Sequence, residues 1–71
     1  MKDKIYKIIN NFFWELGLDY RFNLYLENET AELDILDQDL NIINSIYLET
    51  ENLQNFKINL YERLEKLTNY L

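Results

Sequence analysis

The sequence contains no histidine, no cysteine and no proline, and only one glycine, Gly17. Each absence removes a class of function. Without Cys there is no disulfide, and without Cys and His the usual ligands of zinc, haem and iron–sulfur clusters are missing. Nucleophilic and general-base catalysis draws mostly on His, a Cys thiolate, or a Ser or Lys activated by a neighbour, so most enzyme mechanisms lose their central group. One glycine builds neither of the phosphate-binding glycine motifs. Paired carboxylates can hydrolyse glycosides, but only in a cleft deep enough to hold a sugar and raise one pKa, and 71 residues leave little interior for it. The expectation is a protein that is not an enzyme and carries no cofactor.

Long apolar runs are also missing. No stretch of about 18 apolar residues occurs, so no membrane-spanning helix is expected. The opening Met1-Lys2-Asp3-Lys4-Ile5-Tyr6-Lys7 carries charge into its first apolar turns and shows no small-residue cleavage site, which points to a soluble, cytoplasmic protein. Asn28-Glu29-Thr30 matches a glycosylation acceptor, yet without an export signal it reads as a polar turn.

Basic residues are scarce where acidic ones are dense. Arg21 is the only Lys or Arg between Lys7 and Lys57. Within a total charge of −6, residues 1–14 carry +2, residues 15–51 hold ten acids against Arg21 for −9, and residues 52–71 carry +1. The densest run, Glu27 to Asp39, has six carboxylates and no cation. Each phosphate contact needs a cation, so direct binding to nucleic acid or an anionic membrane is disfavoured. A basic protein is the more natural partner.

What the chain does have is apolar side chain, at 48% hydrophobic and 15% aromatic, well above the content of a disordered segment. It makes one domain, residues 1–71, of a size that buries only about 60% of its unfolded surface. Ile5, Ile8, Ile9, Phe12 and Leu16 recur at helical spacing, with Tyr6 and Phe13 widening the stripe. They predict a helix over residues 4–16, capped by Asp3 and ended by Gly17. Trp14 falls on the other side of that helix with Lys7, Asn10 and Asn11. Either a neighbouring element roofs it or it stands exposed as an anchor for a partner.

From Asp19 the period changes to two. Tyr20, Phe22, Leu24 and Leu26 alternate with Arg21, Asn23, Tyr25 and Glu27, and Ala31, Leu33 and Ile35 alternate with Glu32, Asp34 and Leu36. This pattern predicts a β-hairpin with one face packed and the other wet. Asp37-Gln38-Asp39-Leu40-Asn41 reads as a turn. Residues 42–49 suit a third strand, with Ile42, Ile46 and Leu48 facing one way, although a short helix lining up Leu40, Ile43 and Tyr47 also fits. A lone hairpin is marginal, which favours the strand. Thr50 reads as the N-cap of a last helix whose apolar stripe is Leu53, Phe56, Leu60, Leu64, Leu67 and Leu71. Ile58 lies outside that stripe among Glu62, Glu65 and Asn69. The predicted fold is α+β, in the order α-β-β-β-α, with an antiparallel meander and two amphipathic helices.

The chemistry left is that of the acids. Asp34, Asp37 and Asp39 offer hard oxygen ligands but lack the spacing and glycine turn of a calcium-binding loop, so no metal site is expected. Same-face residues of a strand lie about 6.6–6.8 Å apart, comparable to successive phosphates of a nucleic-acid strand. Glu32 and Asp34 share the outward face of the second strand, Glu27 lies on the first, and Glu29, Asp37 and Asp39 extend the charge into the turns. Such a surface suits the cationic groove of a nucleic-acid enzyme, with Tyr25 and Trp14 as apolar anchors. The same acids also serve solubility and guard strand edges against aggregation.

In size, acidity, lack of Cys and a vocabulary rich in Asn, Ile, Lys and Tyr, the chain resembles the small acidic accessory proteins of bacteriophages and plasmids, among them anti-restriction and anti-CRISPR inhibitors. The likeness is one of composition, and no functional residue is carried over from it. It implies an inhibitor that acts as a DNA mimic on a CRISPR or restriction nuclease through protein–protein interaction. The other expectation is a structural or adaptor module that forms a homodimer through Trp14, Ile58 or the leucines of the last helix, its acidity serving only solubility.

Overall fold

In the computed structural model, described over residues 2–69, the chain forms α1 (Lys2–Glu15), β1 (Arg21–Glu27), β2 (Thr30–Leu36), β3 (Ile42–Glu49) and α2 (Leu53–Thr68). The three strands make one antiparallel meander in the order β1-β2-β3. The α+β architecture is the predicted one, and residues 42–49 are a strand. Pairing explains the choice: β3 sets Ile46 beside Leu33 and Leu48 beside Ala31, extending the apolar face that a two-stranded hairpin would leave too narrow.

Gly17 ends α1 as expected. Its φ is +66°, its N–H donates to the Trp14 carbonyl at 3.2 Å, and the Leu18 N–H reaches back to the Phe13 carbonyl at 2.9 Å. This is the Schellman arrangement, with Phe13 and Leu18 both in the core. A Cβ placed on Gly17 would meet nothing within 4 Å, so Gly17→Ala tests backbone conformation alone. The variant is expected to lose about 1–2 kcal/mol, read as a melting temperature lower by at least about 4 °C. An unchanged melting temperature would mean that α1 can end without the left-handed residue. Asp3, in contrast, is not the cap: α1 begins at Lys2 and Asp3 sits inside its first turn, where a negative charge still suits the helix dipole.

The core lies between the helices and one face of the sheet. α1 contributes Ile5, Ile9 and Phe13, and α2 contributes Phe56, Leu60 and Leu64, all buried, onto Ala31, Leu33, Ile35 and Ile46. The stripe of α1 is therefore centred on Ile5-Ile9-Phe13, while Ile8, Phe12 and Leu16 are its half-buried margin and Tyr6 is half exposed. Ring contacts fix the layering. Phe13 and Tyr6 lie 5.1 and 5.0 Å from Phe22 of β1, and Phe12 meets Tyr61 of α2 edge-on at 5.2 Å. The stripe of α2 follows the prediction through Leu67; Leu71 lies outside the described residues.

Two local readings are corrected. Thr50 is buried and its N–H is bound to the Glu29 carbonyl at 2.7 Å, while Asn52 is the N-cap, its side chain accepting from the Asn55 N–H at 3.1 Å. The chain needs those two further residues to leave the sheet before it can wind. Ile42 does not face inward with Ile46 and Leu48. A β-bulge lets Ile35 pair with Asn44 but Leu36 with Ile42, so the alternation reverses and Ile42 is exposed.

Candidate functional site

Both helices pack on one face of the sheet, and among the described residues no helix or strand covers the other. Register and alternation assign that outer face in rows running across the strands. Glu27, Thr30 and Glu49 form the first, Tyr25, Glu32 and Tyr47 the second, Asn23, Asp34 and Ser45 the third, and Arg21, Leu36 and Ile42 the fourth. Arg21 is the only cation on the three strands. Tyr25 is 54% exposed and Tyr47 67%, an unusual amount of aromatic surface on an open sheet.

The predicted acids do not act as one group. Glu27 and Glu29 are exposed at the β1–β2 turn, where Asn28 takes a φ of +50° and the Thr30 hydroxyl donates to the Glu27 carbonyl at 2.9 Å. Asp39 is exposed at the opposite end. Asp37 is half-buried and serves its own turn: its Oδ1 accepts from the Asp39 and Asn41 N–H groups, each at 2.9 Å, and so holds Leu40 at a φ of +66°. Asp34 is not a free outward charge either. It is 7% exposed because β1 and β3 shade it from both sides, and its Oδ1 accepts from the Ser45 hydroxyl at 2.9 Å. Glu32, on the same central strand, is half-buried. Among the described residues no three acidic side chains gather closely enough to hold a metal ion.

Glu32 and Asp34 make an electrostatically strained pair. Hydrogen bonding to Asp34, partial removal from water and repulsion by the Asp34 charge all raise the Glu32 pKa above the usual carboxylate range, and no cation offsets them. The folded chain therefore holds this proton more tightly than the unfolded chain. The resulting stability is present below the ordinary carboxylate pKa and is lost as pH rises through the raised one. Glu32→Gln is expected to flatten that decline and to be at least as stable as the parent at pH 7. Paired urea titrations across the acidic range check it; a less stable variant at pH 7 would mean that the ionised Glu32 is held favourably.

Chain pairing also supplies acids that lie outside the dense run from Glu27 to Asp39. Thr30 pairs with Glu49, and Thr50 binds Glu29, so the end of β3 returns to the first hairpin turn. Glu27, Glu29, Glu49 and Glu51, all exposed, thus stand at one end of the molecule. Glu49 and Glu51 also border a shallow hollow with Asn52, Asn55 and Asn59. Sheet order held the signal, since the last residues of a third meander strand must lie beside the first turn.

Trp14 is 87% exposed on α1, so among the described residues no neighbouring element roofs it. It stands between two shallow depressions, one bordered by Gly17, Leu18 and Asp19, the other by Asn10, Asn11, Tyr20 and Phe22. It belongs to the helical layer and not to the outer sheet face. Tyr25 joins the acidic face; Trp14 does not. Ile58 on α2 is half exposed.

Fold and surface define a small α+β domain with an open acidic and aromatic sheet face. No family model, curated protein or solved structure matches the chain. Among the described residues no helix is long and apolar enough to cross a membrane.

Proposed function

We propose that this protein is a stoichiometric inhibitor of phage or mobile-element origin which offers its acidic sheet face, as a nucleic-acid mimic, to a basic nucleic-acid-binding enzyme such as a CRISPR or restriction nuclease. The observation that carries the reading is the exposed group Glu27, Glu29, Glu49 and Glu51, continuous with the uncovered face of Glu32, Tyr25 and Tyr47, where Arg21 is the only opposing charge. Carboxylates so placed attract a cationic groove at a distance, and the tyrosines supply apolar contact that slows release. The action is occupancy, with no bond made or broken. Immunity against a basic nuclease toxin would use the same surface.

The test is capture of the partner on the immobilised protein, followed by elution with rising salt and by competition with duplex DNA. A basic nucleic-acid enzyme released by both treatments, and inhibited by the free protein at one equivalent, is the expected result. A partner that stays bound in high salt and ignores competing DNA would overturn the reading. It would favour the second one, an adaptor or homodimer held by an apolar contact, which Trp14 supports by its exposure.

A further inference from the structure

We propose that the row Tyr25, Glu32 and Tyr47 is an arginine clamp, and that the partner seats one arginine side chain on the outer face of the sheet. The proposal rests on the reading above, in that it takes the partner to be basic, and it specifies which cation is read and where.

Four features of the face converge on a guanidinium. Glu32 lies at the middle of the sheet, paired with Tyr25 on one side and Tyr47 on the other, so the two aromatic side chains flank one carboxylate in register. Adjacent strands are spaced about 4.8 Å apart, which puts the two tyrosines roughly 9–10 Å apart at the backbone and leaves a width for one planar group between them. The floor is half-buried and its carboxylate meets only unfavourable influences within the chain, as does a charge whose counterion comes from outside. Asp34, the next outer residue along β2, accepts from Ser45 through one oxygen and neighbours the Glu32 carboxyl closely enough to hydrogen-bond with it, so it adds negative potential beside the position a guanidinium would take.

Arginine fits these features better than lysine. A guanidinium donates two parallel N–H bonds to a carboxylate, stacks on aromatic rings and gives up its hydration cheaply, whereas an ammonium is a compact and strongly hydrated point charge. A face that served only as a negative field would bind the two equally. The tyrosines in register with Glu32 are what would make it selective.

The experiment uses the whole chain, labelled with ¹⁵N, titrated at low salt with a capped hexa-arginine peptide and with its hexa-lysine counterpart of equal charge. The arginine peptide is expected to bind about tenfold more tightly, with the largest shifts at Tyr25, Glu32 and Tyr47. Tyr25→Leu combined with Tyr47→Leu keeps apolar bulk on an exposed face and is expected to erase the preference while retaining residual binding of both peptides. Equal affinity for the two peptides in the parent, or a preference that survives the double variant, overturns the clamp and leaves the acidic mimic standing. If neither peptide binds, the clamp and the mimic fail together.

Discussion

Phe56→Ala is expected to take this protein to the margin of folding at room temperature and to unfold most of it on modest warming. Phe56 is 1% exposed, near the N-terminal end of α2 on the surface that the helix turns toward the sheet, and it belongs to the same core cluster as Leu60, Leu64, Leu33 and Ile46. Removing a buried phenylalanine ring costs about 3–5 kcal/mol through lost transfer energy and the cavity left behind. Small domains sit near the low end of the usual range of about 5–15 kcal/mol, and this one has no disulfide to limit its unfolded chain. At about 4–8 °C per kcal/mol, the melting temperature should fall by at least about 12 °C. Ile58→Ala, two residues away on the exposed side of the same helix, is expected to change stability by no more than about 0.5 kcal/mol. Thermal and urea unfolding of the pair give the answer. Similar small losses for both would mean that α2 does not pack as described.

The second large effect is on binding. Converting Glu27, Glu29, Glu49 and Glu51 together to Gln is expected to leave the fold intact and to weaken the partner complex by about 100-fold at low salt. Each of the four is exposed, so the change removes charge from water-facing positions without opening a cavity. If each contact contributes about 0.7 kcal/mol, as exposed ion pairs at the favourable end do, the four reach about 2.8 kcal/mol, which is about two decades of affinity. The salt dependence should shrink with it, because fewer charges remain to be screened. Titration calorimetry at two salt concentrations, with circular dichroism to confirm folding, measures both. Trp14→Ala is the contrasting variant: it should bind as the parent does if the acidic face is the contact. A Trp14→Ala variant that fails to bind, beside a neutralised variant that binds normally, would transfer the function to the helical layer and to the adaptor reading.

Much of the architecture was legible along the chain because its causes are local. Spacing near 3.6 in Leu53, Phe56, Leu60, Leu64 and Leu67 follows from the geometry of one helix, and alternation in Phe22, Leu24 and Leu26 from the pleat of one strand. Gly17 announced the end of α1 because its left-handed backbone is a property of that residue's own sterics. The acidity of the middle of the chain, and the near absence of cations from it, are likewise facts of composition.

Tertiary structure decided which acids are free and which belong together. Asp34 and Glu27 look alike in an alternating pattern, yet one strand is central and the other is an edge, so Asp34 is shaded from both sides and Glu27 is not. Asp37 spends its carboxylate on two backbone N–H groups of its own turn. Glu49 and Glu51 join Glu29 only because antiparallel pairing brings residues some twenty positions apart to the same end of the sheet. The bulge at Leu36 turned Ile42 outward, and among the described residues no element lies over Trp14, which leaves that ring exposed. A periodicity is set by the backbone of one element, so it can be read from a single stretch of chain. Exposure and neighbourhood are set by strand order and register, which depend on pairings between distant stretches.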